Sequence, residues 1–301
     1  MIDPNRLNTE INQTSFEKPM TLPIHQHNGD SLMQESPAPE KLSILMPVFN
    51  ERWTVAEIIR RVLDAPLSLE RELVVVDDAS TDGSYDVLRQ LAADHPQIRL
   101  FQHEVNRGKG SAIRTAISHM TGDVAVVQDA DLEYDPRDLQ SLLQPIIDGQ
   151  ADAVYGSRYA GENRRVHPFW HTLVNQTLTL MSNMINDLSL TDMETCYKMI
   201  RADVLRCLKL SSHTFTLEPE ITCRLSQWGA RIHEVPVSYV GRTFGEGKKI
   251  RPIDGVKAIW QMVYSKFIDR QFTTHQGMLE QFRLDRSPSL GRSISSMIAP
   301  Y

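Results

Sequence analysis

Three carboxylates occupy alternate positions in Asp129-Ala130-Asp131-Leu132-Glu133, directly after the apolar run Val124-Ala125-Val126-Val127. In extended backbone alternate side chains point the same way, so Asp129, Asp131 and Glu133 can converge on one hard divalent cation. Such a cation neutralises charge developing on a leaving diphosphate, whose oxygens complete the coordination shell. A lone D-x-D is more often a solvated acidic turn leading into a helix. The position at a strand end, and the segments that accompany it, favour the metal reading here.

Val76-Asp77-Asp78-Ala79-Ser80-Thr81-Asp82-Gly83 puts two further carboxylates at the end of an apolar run. There Asp77 and Asp78 can accept hydrogen bonds from a base imino group or from ribose hydroxyls, while Asp82 and Gly83 read as ordinary turn chemistry. Asn106-Arg107-Gly108-Lys109-Gly110-Ser111 opens a helix. Its small residues let backbone amides approach a ligand, and the helix N-terminus with Lys109 and Arg107 favours a phosphate. The segment has neither the third glycine of a dinucleotide fingerprint nor Walker A spacing, so it gives little support to an NAD enzyme or a P-loop NTPase.

Later in the chain, Gly241-Arg242-Thr243-Phe244-Gly245-Glu246-Gly247-Lys248-Lys249-Ile250-Arg251 combines flexible glycines with four cations. A loop of this kind can close over a diphosphate, with Lys248 among its contacts, and exclude water; a solvated surface loop is the alternative. Thr216-Leu217-Glu218-Pro219-Glu220 opens a helix on which Glu220 either orients a basic neighbour or complements the helix dipole. His167 and His171 share an i, i+4 face, but without an acidic motif beside them they read as ordinary packing.

The elements that must position these groups alternate apolar runs with amphipathic stretches, which predicts βα units around a mainly parallel sheet. Leu42 to Val48, Leu73 to Val76, Ile98 to Phe101 and Val124 to Val127 are the strands. Between them, Val55, Ile58, Ile59, Val62 and Leu63 mark one helix, Val87, Leu88 and Leu91 a second, and Ala112, Ile113, Ala116, Ile117 and Met120 a third. Asp135 caps the next helix, with Pro136 at its first position. Open α/β sheets bind ligands at the carboxyl ends of their strands, where Asn50-Glu51, Asp77-Asp78 and Asp129-Ala130-Asp131 all fall.

With 301 residues, 41% hydrophobic and 23% charged, the chain reads as a soluble globular protein. Its net charge of -6 supplies no global basic field, so nucleic acid is not an expected partner. Cys196, Cys207 and Cys223 lack metal or redox spacing and read as reduced core thiols. No window of about 18 apolar residues and no export signal appears, which predicts a cytoplasmic protein. Residues 1–40, including His25 and His27, read as a disordered arm, 41–270 as one domain and 271–301 as a polar tail.

Within residues 168–187, Phe169, Trp170, Leu173, Val174, Thr177, Leu180, Met181, Met184 and Ile185 recur at helical spacing beside Arg164 and Arg165. The stripe suits a peripheral membrane contact at the inner face of the membrane, or else packing on the sheet or in a dimer.

Met46-Pro47-Val48-Phe49-Asn50-Glu51, the 76–83 and 106–111 segments, Asp129 to Glu133 and Tyr155-Gly156-Ser157-Arg158-Tyr159 occur together and in this order. In that combination the chain, over about Lys41 to Phe267, resembles glycosyltransferase family 2. Within that family it is similar to the branch of dolichyl-phosphate mannose synthases and related polyprenyl-phosphate glycosyltransferases. The resemblance implies a GT-A α/β fold, with a nucleotide-sugar half over 41–160 and an acceptor half over 161–270. It also implies inversion at the anomeric carbon and Mg²⁺ or Mn²⁺ held by Asp129, Asp131 and Glu133, with Glu133 the least constant ligand. Pro47, Val48, Asn50, Glu51 and Asp78 are implied at the nucleoside, and Arg158 at the donor phosphates or the acceptor. In Leu190-Thr191-Asp192-Met193-Glu194-Thr195-Cys196-Tyr197-Lys198-Met199-Ile200-Arg201, Asp192 or Glu194 is the implied acceptor-side carboxylate, and Arg201 is implied near the phosphates. Both acids also fit as simple caps.

The expected reaction moves a hexose from GDP-mannose or UDP-glucose to a polyprenyl phosphate, whose anionic oxygen needs no strong base. A sugar hydroxyl acceptor, which needs one, stays open. A nucleotidyltransferase and a non-catalytic nucleotide-sugar sensor are the distant alternatives. Oligomeric state is not legible.

Overall fold

A computed structural model describes residues 38–161, 166, 168–214, 216–242 and 252–269. His25 and His27 of the arm, Arg164, Arg165, His167, Lys248 and the 271–301 tail lie outside the described residues.

The long apolar runs form a seven-stranded sheet: β1 (Lys41–Val48), β2 (Glu70–Asp77), β3 (Ile98–Gln102), β4 (Val124–Val127), β5 (Ala153–Ser157), β6 (Lys198–Arg201) and β7 (Ile232–Pro236), in the order β3-β2-β1-β4-β6-β5-β7. Every strand runs the same way except β6, which is antiparallel to both its neighbours β4 and β5. Continuous apolar sequence in β1, β2 and β4 follows from burial on both faces of the sheet, since Leu42, Ile44, Leu45, Val74, Val75 and Val126 have at most 1% of their surface exposed. Each such side chain contributes roughly 1.5–3 kcal/mol relative to exposure, so the sheet interior dominates the stability of the domain.

Eight helices cover it among the described residues: α1 (Val55–Asp64), α2 (Ser84–Asp94), α3 (Lys109–His119), α4 (Leu139–Ile147), α5 (Phe169–Asn186), α6 (Ala202–Cys207), α7 (Leu217–Trp228) and α8 (Pro252–Val263). In α1, Val55, Ile58, Ile59 and Val62 are the buried face, as their spacing predicts. Asp135 accepts a hydrogen bond from the Arg137 amide at a short 3₁₀ turn, Pro136–Asp138, that leads into α4. The helices α5, α7 and α8 pack on one another.

The amino edge of the sheet is closed by a satisfied charge cluster. Glu72 accepts from Ser43 Oγ (2.6 Å), Thr121 N (2.5 Å) and Arg99 (3.2 Å), tying β1, β2 and β3 to the turn before β4. Burial alone would raise the Glu72 carboxyl, but these donors outweigh it and lower it to about 2. Chain order reverses between β1 and β4, so the crevice outside their carboxyl ends is the place where such a sheet takes ligands.

Of the three free cysteines, Cys196 and Cys223 are buried as expected, whereas Cys207 is exposed at the end of α6. The expectation of a core thiol fails there, because α6 covers the sheet through Ala202, Val204 and Leu205.

Candidate active site

The acidic segment after β4 is a turn rather than extended chain: Leu132 adopts φ +64°, and Asp131 Oδ1 accepts from the Glu133 amide at 3.1 Å. Asp129 therefore turns to a different cation from the one that Asp131 and Glu133 share, which corrects the argument from extended backbone. Asp129 meets Lys109 Nζ at 3.0 Å, whereas Asp131 meets Arg242 at 3.1 Å. Arg242 also reaches Glu51 at 3.1 Å and Glu133 at 3.8 Å, so one guanidinium serves three acids. Glu133 further accepts from Tyr239 Oη and the Arg242 amide, both at 2.7 Å, which pins the 239–242 segment over the turn. Burial first, then the charges of Asp129 and Glu133, push the Asp131 carboxyl up to about 7. Among the described residues no three His, Cys, Asp or Glu side chains already form a metal-binding group.

At the end of β1, Pro47 lies within the strand and Val48 is 1% exposed, its carbonyl accepting from the Asp78 amide at 2.8 Å. Asn50 takes φ +53°, and its Oδ1 accepts from Thr81 N at 2.8 Å, joining the β1 and β2 loops. Asp77 is fully buried, and its Oδ1 has no partner. An unpaired buried carboxylate oxygen is costly, which makes this atom a fitting acceptor for a ligand N–H or O–H.

Asp78 is engaged differently. It accepts from the amides of Arg107 (2.9 Å) and Gly108 (2.7 Å) and pairs with His103 at 2.7 Å. The anion at the N-terminus of α3 is thus the protein's own carboxylate, and the expected phosphate cradle over 106–111 is filled from within. Gly108, at φ +89°, and Gly110 are required because a side chain at either would run into the backbone of Ser212 and His213. Lys109 points inward between Asp129 and Glu218, each at 3.0 Å. Burial opposes its charge, but Asp129, the Cys196 sulfur and Glu218 hold its pKa well above the ordinary value.

After β5, Arg158 makes a two-pronged contact with Asp192, Nε to Oδ2 at 2.6 Å and Nη2 to Oδ1 at 2.7 Å. Asp192 is fully buried and accepts two further bonds, from the Arg158 amide (3.0 Å) and Asn175 (3.3 Å). Its oxygens are occupied, so it positions Arg158 against the Tyr239 ring, 5.1 Å away. Glu194 is the contrasting carboxyl: Oε1 is buried without a partner, and burial, then Glu218, raise it to about 7 against the pull of Lys198 and Arg158. Lys198 donates to the carbonyls of Met193 (2.8 Å) and Thr195, and burial lowers its pKa.

Arg201 is not brought to this edge. Because β6 is antiparallel, Lys198 follows the carboxyl end of β4 while Arg201 pairs with Val124 at the amino end, beside Asp203 at 3.5 Å. Lys198 is the basic residue of that strand that enters the site, a distinction that strand direction alone decides. Glu220 accepts from the amides of Ser211 (2.9 Å) and Ser212 (2.8 Å) and lies 3.8 Å from Arg224, which is a structural role. Sequence reasoning missed Glu218, two residues earlier; its signal was the need of a buried Lys109 for carboxylates.

The family model for glycosyl transferase family 2 matches residues 43–209, more than half of the chain. The chain is 29% identical over 213 residues to the dolichol-phosphate mannosyltransferase of Pyrococcus furiosus, covering 69% of this chain and 59% of that protein. It is 31% identical over 211 residues to the undecaprenyl-phosphate mannosyltransferase of Micrococcus luteus, covering 68% of this chain and 85% of that protein. The first of these matches thus spans less than two thirds of the relative's length. Among solved structures, glucosyl-3-phosphoglycerate synthase from Mycobacterium tuberculosis, in complex with Mn²⁺, UDP and phosphoglyceric acid, superposes with a TM-score of 0.58 at 18% identity, covering 77% of this chain and 80% of that one. That likeness shows the fold, which is GT-A-like.

Proposed function

The chain belongs to glycosyl transferase family 2, and from that premise we propose that it transfers a hexose from a nucleotide-sugar to a polyprenyl phosphate, with inversion. The observation that carries the acceptor class is the saturated state of Asp192. Both its oxygens are held by Arg158 and Asn175, so it has no free lone pair suited to deprotonating a hydroxyl. A phosphate acceptor is already anionic and needs no base. The Arg158 guanidinium, held rigidly, is then an anchor for an incoming phosphate.

The donor set at the acidic turn suits Mg²⁺ or Mn²⁺: hard carboxylate oxygens in excess of local positive charge, with a guanidinium standing where cationic charge is needed. Asp131 would hold the ion, with Asp129 and Glu133 on the same turn. When bound, it supplies charge neutralisation to the departing nucleoside diphosphate. Asp77 and Asn50 are the proposed nucleoside contacts at the β1 and β2 ends. The test is incubation with GDP-mannose or UDP-glucose and a polyprenyl phosphate, reading nucleoside diphosphate release. Release that depends on the lipid phosphate supports the assignment; pyrophosphate released from a nucleoside triphosphate would replace it with nucleotidyl transfer.

A second reading, transfer to a sugar hydroxyl, is favoured by Glu194, whose unpaired oxygen and near-neutral pKa suit a general base. Glu194→Gln separates the two. For a phosphate acceptor turnover changes less than about tenfold, whereas a hydroxyl acceptor loses roughly two to four orders of magnitude with donor binding retained. The same variant carries a pH signature. The folded pKa of Glu194 lies above its unfolded value of 4.5, so its contribution to stability is complete below about pH 4.5 and lost as pH rises through about 7. Glu194→Gln is therefore expected to melt higher than wild type at about pH 8.5, by on the order of 2 kcal/mol, and level with it at about pH 4.5. Equal melting temperatures at the higher pH would remove the premise of a buried, raised carboxyl.

The α5 helix is amphipathic in an inverted sense. Asn175, Thr179, Ser182 and Asn186 face the protein, while Phe169, Trp170, Val174, Leu180 and Met184 are between 54% and 77% exposed. Val256, Trp260 and Phe267 on the adjoining α8 and its extension are exposed as well. No helix among the described residues is long and apolar enough to cross a membrane. We read the shared outward face as a peripheral membrane contact that brings a lipid phosphate towards Arg158. Wild-type protein is expected to float with liposomes containing polyprenyl phosphate, and Trp170→Glu with Leu173→Glu to release it. Wild type remaining at the bottom of the gradient would exclude the contact.

A further inference from the structure

A cavity of about 320 Å³ opens between the C-terminal half of α3 and the α6 segment, away from the candidate active site. Ser118 on its wall is nine residues along α3 from Lys109, about 14 Å at 1.5 Å per residue. Three cations line it, Arg114, Arg206 and Lys209, together with the apolar side chains of Ile117, Met120 and Leu205, and among the described residues no acidic side chain does. On a chain of net charge -6, a wall that carries Arg114 and Arg206 together and is lined by no carboxylate among the described residues departs from the mixed charge of an ordinary surface.

Two of the cations are held in place by backbone. Arg114 Nη1 donates to the Ser211 carbonyl at 3.0 Å, and Arg206 Nη2 to the Met120 carbonyl at 3.3 Å. Capping those carbonyls explains one N–H of each guanidinium, and each carries five. Among the described residues no carboxylate pairs with either guanidinium, and these backbone contacts orient the two side chains, which lowers the cost of binding an anion. The size of the cavity, at the lower end of small-molecule sites, and its apolar floor argue against a bare inorganic ion.

We propose that this cavity binds a small organic phosphate, with a phosphate monoester dianion among Arg114, Arg206 and Lys209 and its apolar body on Ile117, Met120 and Leu205. The site is independent of the transfer reaction, so it stands or fails apart from that assignment. Phenyl phosphate is the probe, read through the methyl resonances of Ile117 and Met120. These are expected to shift saturably, with inorganic phosphate binding at least about tenfold more weakly because it leaves the floor uncovered. The R114Q/R206Q double variant should lose the Met120 response while keeping its transfer rate. If that variant melts early, K209Q alone should weaken binding about fivefold. Retention on phosphatidic acid vesicles that depends on the two arginines assigns the phosphate to a lipid headgroup; binding of phenyl phosphate without retention assigns it to a soluble ester. Absence of a saturable shift, the same shift in R114Q/R206Q, unchanged affinity in K209Q, or equal affinity for inorganic phosphate would each overturn the proposal.

Discussion

Asp131→Asn is expected to lower turnover at saturating donor by about three orders of magnitude and to leave the protein folded, because it removes the carboxylate proposed to hold the metal without changing shape. The electrostatics of the turn make the two effects separable. The Asp131 carboxyl is raised to about 7 from an unfolded value of 3.8, so its contribution to stability is present below pH 3.8 and lost as pH rises through about 7. In the metal-free protein above about pH 7 the ionised side chain is a burden on the fold. The asparagine variant should melt at or above the wild-type temperature there, by up to roughly 2 kcal/mol. Inactivity with undiminished stability is then a signature of lost chemistry, and chelation of the wild type should reproduce it. Near-normal turnover, with unchanged metal dependence, would remove Asp131 from the metal site.

Asp192→Ala should behave in the opposite way and cost both stability and activity. The carboxylate is fully buried and holds Arg158 through two bonds of 2.6 and 2.7 Å, so its removal strands a buried guanidinium. Breaking such a pair from one side costs about 3–5 kcal/mol, which in a domain of this size lowers the melting temperature by roughly 6–20 °C. Turnover should fall by about two orders of magnitude, because Arg158 is no longer held in the position proposed to receive the acceptor phosphate. Replacing both partners by apolar residues, Arg158→Met with Asp192→Leu, is expected to restore much of the stability and none of the activity. A single variant that melts within about 2 °C of wild type would show that the pair is not the structural clamp described.

The strands and helices up to β4 were legible because each has an unambiguous pattern: the run Leu73 to Val76 is apolar throughout and mostly β-branched, and the α1 face repeats over nearly three turns. The loops that follow those strands could be placed together at the carboxyl edge of the sheet for the same reason. Individual side-chain roles were harder. Asp78 and Lys109 both read as ligand contacts, yet Asp78 receives the amides of the α3 N-terminus and Lys109 turns towards Asp129 and Glu218. A helix N-terminus attracts the nearest anion, and sequence spacing does not say that residue 78 folds back to residue 108. Arg201 failed for a different reason, since it lies three positions after Lys198 at the opposite end of a four-residue strand, and only pairing decides which end lies at the carboxyl edge of β4. Arg242 lay within a segment read for its glycines and cations, but its attachment to three acids far away in sequence is a tertiary fact.

The reversed strand β6 also constrains how the chain is made. Its four residues, 198–201, fill the gap between β4 and β5, both of which leave the ribosome earlier. Until then the nascent chain exposes two unpaired strand edges, one on each side of the place β6 will take, and such edges are templates for wrong partners. A fragment ending near residue 160 would hold that incomplete state permanently, although it contains β1, β2 and β4 with the acidic loops that follow them. Synthesis past residue 201 joins β4 to β5, and β7, made later still, then pairs with the far side of β5 to complete the sheet.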